Sequence, residues 1–362
     1  MNSSSEQAII HSDDLFDCLP DDVVLSIFGK LQDAKSLCLS MSTCKRFRSI
    51  APQVDRIFLP IPPKKSDAKD SDQKSSFKNL VIRALTTPFL LISQMIKLKP
   101  KPEENNDLDF YSCYVPNEIL KNFQGIRGLH LRLPCHGNQK HNPSRNGKNS
   151  TTLLKWRAEF GRELHSCVIL GAKSWSEKGR VESSGEEAPS RVMADDELKL
   201  RIVWTISCLI AASARHYLMQ ETVKGLRMIE SVVVSDESDQ GRLCMNKEQI
   251  EEIRRSSKAK GDDETTVESR SRVPALRMKM WYLDRLEVPG SGKVMEGATL
   301  VVIKPAVGGE DEARKGSPGR SDAEMVADAF EGEGEGEGKV MAEAVRKLMV
   351  AKKCYVLEMN SF

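Results

Sequence analysis

Few residues in this chain have the types and spacing that chemistry needs. Cys135, His136 and His141 stand close together and could each donate to a metal. A structural zinc site takes four donors, and the Gly- and Asn-rich stretch around these three supplies no fourth. The remaining cysteines beyond the N-terminal region, at 113, 167, 208, 244 and 354, are too widely separated for Cys-x-x-Cys pairs. Pro289-Gly290-Ser291-Gly292-Lys293-Val294 has the glycines and lysine of a phosphate-binding loop. Such a loop needs Gly where Glu287 stands and Ser or Thr where Val294 stands, so the segment reads as a turn between strands. His165 and His216 lack a nearby Ser or Cys nucleophile in an activating motif and read as core or surface histidines. No catalytic residue, metal or cofactor is expected.

The chain that carries these residues has 54 basic and 52 acidic side chains in 362, for a formal net charge of +2. That balance lacks the basic excess of a dedicated nucleic-acid binder, and no nucleic-acid partner is expected. Lys64-Lys65 and Lys97, Lys99 and Lys101 read as solvated loop charge. The first residues are polar, with neither a positive n-region nor an apolar core, so no secretory signal is expected. The apolar run from Ile202 to Ala214 is shorter than the ~20 residues a bilayer requires. It reads as a buried helix, with no membrane insertion. An odd number of scattered cysteines, nine, suits the cytoplasm or nucleus.

Polar composition predicts a linker at 59–76 and flexible insertions near 134–152, 173–194, 256–273 and 305–338, the last including the Glu-Gly repeats of 331–338. Gly128–Leu133 alternates with period two and predicts a strand. Short β-prone runs follow at Cys167–Leu170, Ile229–Val234, Leu276–Leu283, Ala298–Ile303 and Cys354–Met359. Helical spacing predicts Leu153–Leu164, Asp196–Glu221 and Val340–Lys352. Helix followed by strand, repeated, predicts an α/β region over 77–362 with a mainly parallel sheet. That sheet is either curved in the manner of leucine-rich repeats or an ordinary α/β layer.

The N-terminal pattern is the most specific. Val24, Ile27, Phe28 and Leu31 stand at i, i+3, i+4 and i+7 and predict one helical face behind Leu19-Pro20. Asp33 is a natural N-cap for a second helix, in which Ala34, Leu37, Cys38 and Met41 repeat the spacing. Cys44, Phe47 and Ile50 extend the series to Pro52. A unit this small either packs on the rest of the chain or offers its stripe to a partner.

Leu19-Pro20, Val24…Ile27-Phe28…Leu31, Asp33-Ala34-Lys35-Ser36-Leu37 and Cys44-Lys45-Arg46-Phe47-Arg48 resemble the F-box motif in order and spacing, with Phe47 where the family usually has Trp. The resemblance implies an F-box domain at 12–58 that binds a Skp-type adaptor through Leu19, Pro20, Val24, Ile27, Phe28, Leu31, Leu37, Cys44 and Phe47. It also implies a cullin and a RING subunit reached through that adaptor. The overall class is then α+β: an all-α F-box hairpin followed by the α/β region.

Phe123–Pro134, Leu153–Gly161 and Val356–Phe362 are similar to the plant auxin up-regulated F-box proteins. That resemblance implies a receptor that recruits an unidentified protein for ubiquitination in auxin and cytokinin responses. Ubiquitin transfer by the chain itself would need a catalytic Cys or a zinc-bound RING, and neither pattern is present. The rivals are an F-box scaffold that presents no substrate and an α/β enzyme carrying an F-box-like hairpin. The residues that would bind substrate are unknown.

Overall fold

The computed structural model describes residues 16, 18–61, 117–134, 151–177, 193–258, 274–306, 320–330, 336–351 and 353–360. Asp21–Leu31 (α1) begins where Pro20 holds φ at −58°, and Asp21 and Asp22 occupy the positive end of its dipole. It ends at Gln32, whose left-handed φ of 53° turns the chain. Asp33 caps Ala34–Thr43 (α2) as the sequence suggests. Its carboxylate accepts from the Ser36 N–H at 2.8 Å and from the Ser36 hydroxyl at 2.6 Å. Lys45–Ile50 (α3) and a 3-10 turn at Ala51–Gln53 complete this helical unit.

The chain then enters the sheet at once. Arg56–Pro60 (β1) buries Ile57 and Leu59 as a period-two pair. Residues 59 and 60 are therefore sheet rather than the start of a polar linker, and 62–76 lie outside the described residues. Eight more strands follow: Gly128–Leu133 (β2), Thr151–Phe160 (β3), Leu164–Glu177 (β4), Ser231–Asp236 (β5), Gly241–Met245 (β6), Leu276–Val288 (β7), Lys293–Pro305 (β8) and Cys354–Met359 (β9). With β1 they form one sheet of order β1-β2-β5-β6-β3-β4-β8-β7-β9.

That sheet is mixed, which corrects the mainly parallel expectation. Only β1–β2, β2–β5 and β3–β6 are parallel. The pairs β3–β4, β4–β8, β5–β6, β7–β8 and β7–β9 are antiparallel. For β3–β4, β5–β6 and β7–β8 the cause is loop length. Residues 161–163, 237–240 and 289–292 are too few for the crossover a parallel neighbour requires. The strand order also rules out a leucine-rich-repeat stack, in which successive strands would be neighbours.

The helices are Asn117–Leu120 (α4), Asp195–Gly225 (α5), Lys247–Lys258 (α6), Asp322–Phe330 (α7) and Glu337–Met349 (α8). Two expectations are corrected here. Leu153–Leu164 is not a helix: Leu154, Trp156, Ala158 and Phe160 are buried alternately along β3. Leu153, Trp156, Phe160 and Leu164 also fit a helical period, and burial between β4 and β6 decides for the strand. The insertion expected at 305–338 contains α7, which is held to the sheet by buried Met325, Val326, Ala329 and Phe330.

One apolar core runs from Val24, Phe28 and Leu37 in the helical unit, through β1 and β2, to α5 and β7. A second lies on the other side of β4 and β8, under α7 and α8. By length and composition α5 could cross a membrane, but 61% of its most apolar window is buried inside the protein. It also buries Arg201, Arg215 and His216. Arg215 forms a buried pair with Asp236 at 2.6 Å, donates to the Gly241 carbonyl at 2.6 Å and lies 4.6 Å from the Trp156 ring centroid. Gly241 is required beside it, because a Cβ there would overlap the Trp156 indole.

His216 is a core histidine, stacked on Phe160 with centroids 4.6 Å apart. Burial lowers its pKa from 6.5 to about 4, against a raising effect from its backbone hydrogen bond at Gly161. The folded value lies below the unfolded one, so the unfolded chain takes up a proton first as pH falls. His216 therefore costs no stability above pH ~6.5, and between there and pH ~4 it removes about 1.4 kcal/mol per pH unit. Urea unfolding at pH 7.5 and 5 should show a loss that shrinks in His216→Gln. An equal loss in both chains would exclude His216 as its source.

Candidate functional site

The helical unit at the β1 edge brings the residues singled out in the sequence into one place, but not onto one surface. Val24, Phe28 and Leu37 are buried at 0%, 4% and 0% exposure. They form the unit's own core and its contact with the sheet, which corrects the expectation that they face a partner. Leu19 is half-buried against the same core. Pro20 is exposed, and Ile27 and Leu31 are 36% and 46% exposed. Cys44 is exposed and acts locally, its Sγ accepting from the Phe47 N–H at 3.3 Å to cap α3.

Phe47 is half-buried and makes edge contacts with Phe16 at 5.9 Å and Phe28 at 5.2 Å between centroids. An aromatic is needed there to bridge the chain before α1 to the core below it, and Phe47 meets that need in place of Trp.

Three features escaped the sequence reading. Val23 is 39% exposed and stands with Ile27 and Leu31 at i, i+4 and i+8, a straight apolar ridge along α1. Leu39 on α2 is 59% exposed and Phe16 is 44% exposed. The ridge was visible in the spacing, but Val24 and Phe28, one position further round the helix, masked it. Arg46 is the third feature. It donates from Nε to the Asp21 carboxylate at 2.8 Å, from one terminal nitrogen to the Phe16 carbonyl at 2.7 Å, and from the other to the Leu19 carbonyl.

The unit is fixed to the sheet through backbone as well as core. The Phe58 N–H donates to the Gln32 carbonyl at 2.7 Å, and Asp33 forms a parallel bridge with Phe58.

The other sites weighed in the sequence that fall among the described residues have no such assembly. In Pro289–Val294 the Ser291 and Gly292 N–H groups are spent on the Val288 and Pro289 carbonyls within the β7–β8 turn, so they do not cradle a phosphate. His165 lies at the surface, 2.9 Å from Glu252. Cys135, His136 and His141 fall outside the described residues, among which no three His, Cys, Asp or Glu are grouped to hold a metal. The polar tracts expected as insertions near 134–152, 173–194 and 256–273 are only partly described: β4 extends to Glu177, and 178–192, 135–150 and 259–273 lie outside the described residues.

A short helical unit that buries one stripe on its own sheet and exposes an apolar ridge beside a Leu-Pro turn defines an interaction module. A family profile described as F-box-like matches residues 16–56, the whole of this unit and the first residue of β1. F-box protein At1g30200 of Arabidopsis thaliana is 35% identical over 99% of this chain and 96% of its own length. F-box protein AUF2 and F-box protein AUF1 of the same plant are 36% and 33% identical, each over 96% of this chain and all of their own length. No solved structure matches. The chain belongs to the F-box protein family.

Proposed function

We propose that this chain is the substrate-receiving subunit of a Skp–cullin–F-box ubiquitin ligase. The observation that carries the reading is the exposed ridge Val23, Ile27 and Leu31 beside Pro20, on the helices matched by the F-box-like profile. Full burial of an aliphatic side chain is worth about 1.5–3 kcal/mol, so completing the burial of a half-exposed row stabilises a complex by about 1 kcal/mol per residue. Of the nine adaptor-binding residues, Pro20, Ile27 and Leu31 touch the Skp-type adaptor. Leu19, Val24, Phe28, Leu37, Cys44 and Phe47 give that surface its shape. Cullin and RING subunits are reached through the adaptor.

In this reading the α/β region recruits a target protein whose ubiquitination leads to proteasomal degradation, and the chain itself has no catalytic role. The similarity to AUF1 and AUF2 supports a place in plant auxin and cytokinin responses. The free thiols of all seven described cysteines suit the reducing cytoplasm or nucleus.

Co-purification of the intact chain with a Skp-type adaptor and cullin tests the reading. The unaltered chain should retain both. Leu19→Ala with Pro20→Ala should weaken capture by about tenfold while thermal unfolding stays cooperative, since one well-placed contact is worth about 1.4 kcal/mol. No capture by the unaltered chain would sink the ligase assignment. A target protein that accumulates when the gene is deleted, and is restored by the intact chain, separates a receptor from a scaffold.

A further inference from the structure

We infer that Arg46 is the positioning residue that holds the Leu19–Pro20 turn in its adaptor-ready shape, an inference that rests on the ligase reading above. A segment ahead of a helix has few partners of its own. Within this turn the Leu19 N–H reaches the Phe16 carbonyl at 3.2 Å, and the Val23 and Val24 N–H groups reach the Pro20 carbonyl at 3.2 Å. Three further acceptors around the turn converge on one guanidinium. Arg46 takes the carbonyls of Phe16 and Leu19 and the carboxylate of Asp21, which begins α1. The three acceptors bracket Pro20, so the turn cannot swing away from α3 without releasing at least one of them. Phe47, the next residue, holds the ring of Phe16 while Arg46 holds its carbonyl.

The fork matters as much as the charge. Three acceptors in different directions match the spread of N–H groups on a planar guanidinium, whereas an ammonium presents one compact centre on a flexible stem. Pre-forming the turn removes an ordering cost that the adaptor complex would otherwise bear. Arg46 thus contributes to affinity through the turn, and its own contact with the adaptor is not required.

The test uses the full chain and a recombinant Skp-type adaptor. Arg46→Ala should weaken binding about tenfold, and Arg46→Lys should recover only part of that. In a Leu19→Ala, Pro20→Ala background, Arg46→Ala should change affinity less than twofold, because the turn it holds no longer contributes. A general loss of fold would not produce that non-additivity. In the adaptor-free chain, Arg46→Ala should speed amide exchange at Leu19, Val23 and Val24 and leave exchange in β7 and β8 unchanged. Wild-type affinity in Arg46→Ala, or an equal penalty in both backgrounds, overturns the inference while leaving the adaptor reading intact. An unaltered chain that binds no adaptor overturns the reading and, with it, the role assigned to Arg46. Unchanged exchange in Arg46→Ala overturns the inference by itself.

Discussion

A chain carrying Ile27→Asp and Leu31→Asp is expected to lose Skp-type adaptor binding by about 100-fold or more and to keep its fold. Two carboxylates brought into an apolar interface must either be stripped of water without partners or take up protons, and either costs several kcal/mol. In the free protein the same positions are 36% and 46% exposed, where substitutions usually change stability by no more than about 0.5 kcal/mol. Phe28→Ala provides the contrast. Its ring is buried against Phe47 and the sheet-facing core, so its removal should cost about 3–5 kcal/mol of stability. Titration of each chain with adaptor, alongside urea unfolding, separates the two. If Ile27→Asp with Leu31→Asp binds as the unaltered chain does, the ridge is not the interface.

Asp236→Ala is expected to destabilise the whole protein by about 3–5 kcal/mol, because it strands a buried guanidinium. Arg215 and Asp236 are each 1% exposed in their side chains and pair at 2.6 Å. The carboxylate also accepts from the Ser238 hydroxyl at 2.6 Å and the Gln240 N–H at 3.0 Å, so it closes the β5–β6 loop. The Val234 and Gly241 carbonyls and the Trp156 face also meet Arg215, and none of these three carries a charge that replaces the carboxylate. Chemical denaturation gives the measure. A loss below about 1 kcal/mol would mean that water or a rearranged loop reaches Arg215, and that the pair is not a sealed one. The double substitution Arg215→Met, Asp236→Ala should lose less than Asp236→Ala alone, since no buried charge is then unmatched.

The sequence was most informative where local chemistry settles structure. Asp33 as a cap, Pro20 before a helix and the alternation of Gly128–Leu133 each depend on near neighbours, and each is present as read. The strands at 276–288 and 293–305 and the helices at 195–225 and 337–349 were found with shorter or shifted ends. What went unread depends on partners distant in the chain. Thr151–Phe160 fits two periods, and only its place between β4 and β6 selects the strand. Gly241–Met245 is short and carries Arg242, and it becomes a strand by pairing with β5 and β3. Lys247–Lys258 is so polar that only Ile250 and Ile253 mark the face it buries. At the candidate site the spacing joined a buried pair, Val24 and Phe28, to an exposed pair, Ile27 and Leu31. Val24 and Phe28 satisfy the same periodicity as Ile27 and Leu31, and only the docking of α1 on the sheet decides which pair is hidden. Arg46 could not be weighed at all, because its three acceptors lie some 25 to 30 residues away.

Ile50, Val54, Ile57 and Phe123 sit in the same buried cluster as Val24 and Leu37, so the hairpin draws its stability from the sheet. A receptor built as two independent beads on a string could lose its target-gripping half and still occupy an adaptor, blocking a ligase position with a useless subunit. In this architecture damage to the sheet melts the plug as well. Under the ligase role proposed above, faulty copies would therefore vacate the adaptor and leave it open to intact ones.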